Sequence, residues 1–454
     1  MHQHDVLVLG GGSGGYATAL RAAQLGKSVA LIERDKLGGT CLHRGCIPTK
    51  ALLHAAELAD AAREGSAYGV LSSLQGIDMK GVSAFQNGVV GRLYQGLQGL
   101  VRSAGVTFVE GEGRLVGPTS VEVEGTTWTG TDLVLATGSA ARSLPGLDLG
   151  PRVVTSDQAL TLAEVPQRVV IAGGSVIGVE FASVWRSFGS EVTVVEALPS
   201  LVPLEDAAVG RALERAFRQR GITSVTGTSL EDVKETSDEV AVRLSNGEMI
   251  IADLVLIAVG RHPVTAGLGL DEHGITTDRG WVITDERLRT AVPHVYAVGD
   301  VVPGLQLAHR GFAHGIYVAE QIAGLDPEPV EDSGIPRVTY CNPEIASVGL
   351  TEGQAAERYG AVDVFEYNLA GNGKSQILGT TGFVKIVREK DGPILGVHLV
   401  GERMGEQIGE ASLMVNWESF PADAARFIHA HPTQNEALGE AALAMAGKPL
   451  HVHA

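Results

Sequence analysis

Cys41 and Cys46 stand in the stretch GGTCLHRGCIPTK at residues 38–50. Their spacing around a turn lets two thiols meet as a disulfide when the Cα atoms come within about 7 Å. Pro48 follows, and proline is favoured in the first turn of a helix, so Cys46 is expected at the mouth of a helix over ALLHAAELADAAR. A helix N-terminus stabilises a thiolate, and Lys50, one turn on, adds positive charge. This arrangement suits dithiol–disulfide exchange. Two plainer uses compete with it. Half of a zinc site is one, but no second Cys/His pair with ligand spacing is evident. Buried packing is the other. Cys341 has no partner in sequence and reads as a buried thiol.

The elements around the pair repeat. DVLVLG runs into GGGSGG, with Gly10, Gly12 and Gly15 in a G-x-G-x-x-G pattern; a helical stretch follows, then SVALIE ending at Glu33. VVIAGGSVIG opens the same unit again, with Gly173, Ser175 and Gly178, the helical FASVWRSFG, and EVTVVE ending at Glu196. A strand, a glycine turn and a helix N-terminus bring backbone N–H groups to a pyrophosphate, and an acid about 20 residues on accepts from a ribose hydroxyl. Glu196 would repel a 2′-phosphate, and Ala197 offers no compensating charge, which favours NAD over NADP at the second unit. Ser175 replaces the middle glycine there; its Cβ is expected to crowd the pyrophosphate or to shift the turn. Each unit continues to a matching strand, DLVLATG and DLVLIAVG. The interval is much longer in the first copy, and the cysteine stretch lies inside it. Two dinucleotide units call for two ligands, and a flavin with a nicotinamide is a natural hydride-passing pair.

Composition sets the outer bounds. The net charge of −18 disfavours nucleic acid and anionic membrane surfaces as partners. No apolar run reaches the roughly 18 residues of a membrane span, no secretory signal is evident at MHQHDVLVLG, and three cysteines make no disulfide framework. A cytoplasmic home is expected. The 59 glycines suit many tight strand–helix turns. DPEPVEDSGIP (326–336) reads as a linker, and the strand-like VTYC, FVKIV and ILGVHLV with later helices suggest an α+β region.

GGTCLHRGCIPTK resembles the redox segment of the pyridine nucleotide–disulfide oxidoreductases. The resemblance spans nearly the whole chain, through ATGS (136–139), GVEF (178–181), VGRHP (259–263), YAVGD (296–300), LAH (307–309) and HAHPTQNE (429–436). It implies an α/β fold with two Rossmann-like domains, for FAD and NAD, plus a C-terminal α+β dimerisation domain. The expected boundaries are 1–148 for the FAD-binding domain, 149–265 for the NAD-binding domain, 266–333 for a segment completing the FAD domain, and 334–454 for the interface domain.

By the same resemblance, Cys41 exchanges with the substrate dithiol and Cys46 faces the flavin. Lys50 lies by the flavin and pairs with Glu180. FAD is held by Gly10, Gly12, Gly15, Glu33, Lys50, Gly113, Thr137, Gly138, Ser139, Asp300, Gln306, Leu307, Ala308 and His309. NAD is held by Gly173, Ser175, Gly178, Glu180, Glu196 and Gly260. His431 is the acid–base, oriented by Glu436 and supplied by the other subunit of a homodimer; a plainer use is a surface histidine before a proline. His429 reads as structural. No metal is implied. GCIPTK and the cysteine-free tail GKPLHVHA fit the branch that oxidises dihydrolipoamide on a lipoyl domain, of a 2-oxo acid dehydrogenase or glycine cleavage complex. Competing functions are an NAD(P)H-dependent reductase of a small disulfide of mycothione or glutathione type, and a flavin-loaded scaffold or redox adaptor without turnover. Val264, where the family often has asparagine, and His314, where an acid is usual, depart from its pattern.

Overall fold

The computed structural model describes residues 2–452. The described residues divide into two compact bodies: 2–51, Lys80–Arg142 and Arg261–Asp332 make one, and Leu52–Met79, Ser143–Gly260 and 333–452 the other.

In the first body, β1 (His2–Leu9) leads through the glycine turn into α1 (Ser13–Gln24) and β2 (Val29–Glu33). The interval after β2 holds α2 (Gly39–Arg44), α3 (Cys46–Glu64) and α4 (Met79–Ser103), then β3 (Thr107–Glu110). β4 (Gly113–Gly117), β5 (Ser120–Val123) and β6 (Thr126–Leu135) complete a sheet of order β3-β2-β1-β6-β5-β4, with Val295–Ala297 also paired to β6. β1 runs parallel to both β2 and β6, so ligand-binding turns are expected at their carboxyl ends, where the connections part. Val6, Leu7, Val8, Leu31, Ile32 and Leu133–Leu135 are buried at the centre of this sheet, as the unbroken apolar runs require of strands covered on both faces.

The helix after Pro48 is present and begins at Cys46. α4 is not foreseen by the sequence reading. Gly81, Gly88, Gly91, Gly96 and Gly99 dilute its helical signal, and packing through buried Leu97 and Val101 overrides that weakness. The helix Ala308–Ile322 crosses α1 closely. A Cβ on Gly315 would lie 2.4 Å from Gly14 O, and one on Gly311 would lie 3.2 Å from Gly14 N. Only glycine permits this approach, which sets two positively polarised helix N-termini side by side.

In the second body a parallel sheet runs in the order Ile222–Thr226, Glu191–Glu196, Arg168–Ala172, Leu254–Ile257, Val153–Thr155, with the helix Val176–Phe188 after the second glycine turn. Residues 333–452 build an antiparallel sheet ordered Arg337–Thr339, Glu344–Gly349, Ile394–Gly401, Phe383–Glu389, Val362–Asn368, packed by the helices Met404–Asn416 and Glu436–Met445. The α+β expectation for this region holds. No helix among the described residues is long and apolar enough to cross a membrane.

Buried Lys385 ties this body together. Its Nζ lies 2.7 Å from Asp206 Oδ1 and 2.7 Å from Glu352 Oε2, and Asp206 also accepts from the Ala208 and Glu352 N–H groups. Burial pushes the Asp206 carboxyl upward, but Lys385 and the N–H donors prevail and hold it below the usual carboxylate range. A depressed folded value gives stability that is present above the ordinary carboxylate pKa and lost as pH falls through the depressed one. Lys385→Met leaves Asp206 buried without its counter-charge and should cost about 3–5 kcal/mol near neutral pH. Urea unfolding checks this, and the deficit against wild type should shrink in acid as Asp206 protonates.

Candidate functional site

The redox segment is pressed onto the first glycine turn. Gly38 and Gly39 both take positive φ, which turns the chain into α2. The Gly38 N–H donates to Gly11 O at 2.8 Å, and a Cβ on Gly39 would fall 2.7 Å from Gly12 Cα. His43 fixes α2 further, with its ring 2.8 Å from Leu37 O and edge-on to Tyr94 of α4. Gly45 separates α2 from α3, and Cys46 is the first residue of α3.

Both cysteines are half-buried thiols. The Cys41 thiol is pushed up, first by its hydrogen bond to Cys46, then by burial and by the Cys46 charge; Lys50 opposes the rise and Asp300 adds to it. The pair therefore behaves as one unit that gives up its first proton and resists losing the second. Tyr16 on α1 is close enough to feel both sulfurs, and its phenol is pushed to about 12 by burial and by them.

The two glycine turns are nearly superposable in their internal contacts. A Cβ on Gly10 would lie 2.3 Å from Ala136 O, and one on Gly173 would lie 2.3 Å from Ala258 O. A Cβ on Gly15 would lie 1.7 Å from Gly10 O, and one on Gly178 would lie 1.8 Å from Gly173 O. Glu33 Oε2 accepts from the Gly11 N–H and Oε1 from the Asp35 N–H; Glu196 does the same with Gly174 and Leu198. Both acids thus brace their turns while keeping acceptor sites open to a ribose. Gly12 caps α1 at φ −72°, ψ −171°, and Ser175 caps its helix at φ −88°, ψ −170°. Serine takes that extended conformation without strain and is a preferred N-cap residue. The expected shift of the second turn does not occur.

The remaining residues expected around the first turn spread over the same body. The Thr137 hydroxyl donates to Val264 O at 2.6 Å, and Gly138 O accepts from the Val264 N–H. Ser139 opens β7 (Ser139–Ala141), and its hydroxyl donates to Asp300 Oδ2 at 2.6 Å. Leu307, Ala308 and His309 form the start of the helix beside α1, and Gln306 Nε2 is buried with no hydrogen-bond partner. Gly113 is buried where a Cβ would meet Leu9, Val121 and Ile32, so packing already demands glycine there. His314 is buried, its pKa pushed down to about 4 by burial and then by Arg310, so the ring is neutral.

In the other body, Glu180 is buried and accepts from the Tyr340 N–H at 2.9 Å. Gly260 is exposed at φ +104°. His431 Nδ1 lies 2.8 Å from Glu436 Oε1, and the Thr433 N–H donates to Glu436 Oε2. Burial pushes the Glu436 carboxyl upward, but Thr433 and His431 outweigh it and hold it below its usual value. The His431 side chain is 76% exposed, with Nε2 left to face outward. His429 is tied to Glu410 at 2.8 Å, in keeping with a structural role. The sequence reading gave no role to Tyr16, Thr40 or Arg261. Arg261 lay in a quoted motif, but only the fold brings it to Ser139 and Thr40.

Two dinucleotide-type turns, a thiol pair against one of them and a His–Glu pair define a class of redox protein. Residues 4–315 match the family described as pyridine nucleotide-disulphide oxidoreductase, and residues 335–442 match its dimerisation domain. The chain belongs to this family, and its last sheet is that dimerisation domain. It is 39% identical to a dihydrolipoyl dehydrogenase of Bacillus subtilis, over 99% of each chain. It is 39% identical to the mitochondrial dihydrolipoyl dehydrogenase of Pisum sativum, over 99% of this chain and 93% of the other. Among solved structures, LpdA of Mycobacterium tuberculosis superposes with a TM-score of 0.91 at 25% identity, covering 98% of this chain and 100% of that one.

The two glycines of the first turn separate ligand from fold. A Cβ on Gly12 meets only Gly39 Cα, at 4.0 Å, so Gly12→Ala should leave stability within about 1 kcal/mol and weaken dinucleotide retention. Gly15→Ala drives a methyl into Gly10 O and should cost about 1–3 kcal/mol or more. Thermal melting of the apoprotein and dinucleotide release rates check the pair.

Proposed function

We propose that this chain oxidises the dihydrolipoamide of a lipoyl domain to lipoamide and passes the electrons to NAD through FAD. The observation that carries this reading is the Cys41–Cys46 pair at the mouth of α3, on a segment pressed against a dinucleotide turn, in a chain whose full-length relatives bear the name dihydrolipoyl dehydrogenase.

The residues present fit FAD at the first turn. Gly12 faces open space, Gln306 offers an unpartnered buried donor, and two helix N-termini converge there. Gly10, Gly12, Gly15, Glu33, Lys50, Gly113, Thr137–Ser139, Asp300 and Gln306–His309 are the residues that would hold it. Gly173, Ser175, Gly178, Glu180, Glu196 and Gly260 would hold NAD, with Glu196 disfavouring a 2′-phosphate. FAD held there would supply the two-electron chemistry that links the cysteine pair to NAD.

The chain's own residues perform the thiol chemistry. In the oxidised form Cys41 and Cys46 share a disulfide. His431 Nε2 takes the proton of the first substrate thiol, with Glu436 holding Nδ1 and supporting the imidazolium. The resulting thiolate attacks Cys41 Sγ, and the Cys41–Cys46 bond breaks with Cys46 leaving as a thiolate. The second substrate thiol attacks the substrate sulfur bound to Cys41, expelling Cys41, which takes up the proton that this thiol loses. Lipoamide leaves with its own disulfide closed, and the cysteine pair holds the two electrons. Lys50 favours the charge left on the pair.

The dimerisation domain exposes Leu413, Trp417, Phe427 and Ile428, apolar surface that suits a homodimer in which one subunit's His431 serves the other's cysteines. An acidic chain with a reactive thiol pair suits a reducing compartment such as the cytoplasm. Cys46→Ser should abolish NAD-linked dihydrolipoamide oxidation, and His431→Gln should lower kcat by about 10²–10⁴. Steady-state kinetics with NAD and free dihydrolipoamide provide the check; near-parental turnover by Cys46→Ser defeats the reading.

A further inference from the structure

Arg261 opens the strand Arg261–Pro263, which pairs antiparallel with β7. Its guanidinium reaches two parts of the site. Nε donates to Ser139 Oγ at 2.8 Å, and Nη2 donates to Ser139 O at 2.8 Å and to Thr40 Oγ1 at 3.3 Å. Ser139 Oγ in turn donates to Asp300 Oδ2 at 2.6 Å. Thr40 immediately precedes Cys41 on α2. One planar, permanently charged group therefore joins the redox helix to the Asp300 turn through two side chains, a geometry that lysine's single ammonium does not reproduce.

We infer that Arg261 is a positioning residue that sets both the reactivity of the Cys41–Cys46 pair and the placement of Asp300, resting on the reading of these cysteines as the redox pair. The electrostatics agree in sign. Cys46 and burial raise the Cys41 thiol most, Lys50 lowers it, and Asp300 adds a smaller rise. Tyr16 also faces the sulfurs, with a phenol that stays protonated near neutral pH. Arg261 offsets the Asp300 charge through Ser139. Without it, Asp300 loses its Ser139-linked counter-charge, leaving Lys50 as the cation that opposes it at the thiols, and Thr40 loses the donor that fixes the start of the redox helix. A merely structural arginine would alter stability and leave thiol ionisation in place.

The test reads the thiols directly and needs no turnover. The FAD-loaded enzyme, reduced, is alkylated with iodoacetamide across a pH series, and the modified cysteines are assigned by mass. Arg261→Met should move the profile upward by about one unit, which is about tenfold slower alkylation below the wild-type midpoint. It should also release FAD several-fold faster. Arg261→Lys, which keeps the charge, should recover much of the pH profile without the slow FAD release. If Arg261→Met fails to fold, Thr40→Val removes only the redox-helix contact and should shift the profile in the same direction by less. A wild-type profile in a folded Arg261→Met, or in Thr40→Val where that stands in for it, overturns the inference. Wild-type turnover of dihydrolipoamide tests the underlying reading separately.

Discussion

The approach of backbone to backbone at the first glycine turn governs what the rest of this site can be. Gly15 lies so near Gly10 O that no Cβ fits, and a Cβ on Gly10 would lie 2.3 Å from Ala136 O, just past β6. These contacts fix the N-terminus of α1 over the carboxyl ends of β1 and β6. The same turn then receives the redox segment, through the Gly38 N–H and the contact of Gly39 with Gly12. A thiol pair can exchange electrons with a dinucleotide only if it is held at that turn, and steric exclusion of side chains does the holding.

Electrostatics act within this frame. The Cys41 thiol is raised first by Cys46 and by burial, and Lys50 and Asp300 bear on it with opposite sign. The His431–Glu436 pair follows another logic. Its carboxylate is held by a backbone N–H and the ring, while the ring itself stays exposed.

The second glycine turn reproduces the first almost contact for contact, with its acid bracing the turn in the same way. Ser175 does not disturb this, because an N-cap residue has extended φ and ψ that serine accepts.

The sequence by itself determined what depends on local order: both glycine turns, their acids Glu33 and Glu196, the helix beginning at Cys46, and the pairing of His431 with Glu436 across a short turn. Each is set by steric and hydrogen-bonding demands among residues near in the chain. α4 escaped because its glycines lower helix propensity, and only burial of Leu97 and Val101 recovers it. The buried Lys385–Asp206–Glu352 cluster and the Arg261–Ser139–Thr40–Asp300 linkage escaped for a different reason. Their members are scattered along the chain, and only the tertiary packing of strands, helices and turns brings them within hydrogen-bonding distance. A charge pattern in sequence carries no record of such meetings, since the elements that cause them are far apart in the chain.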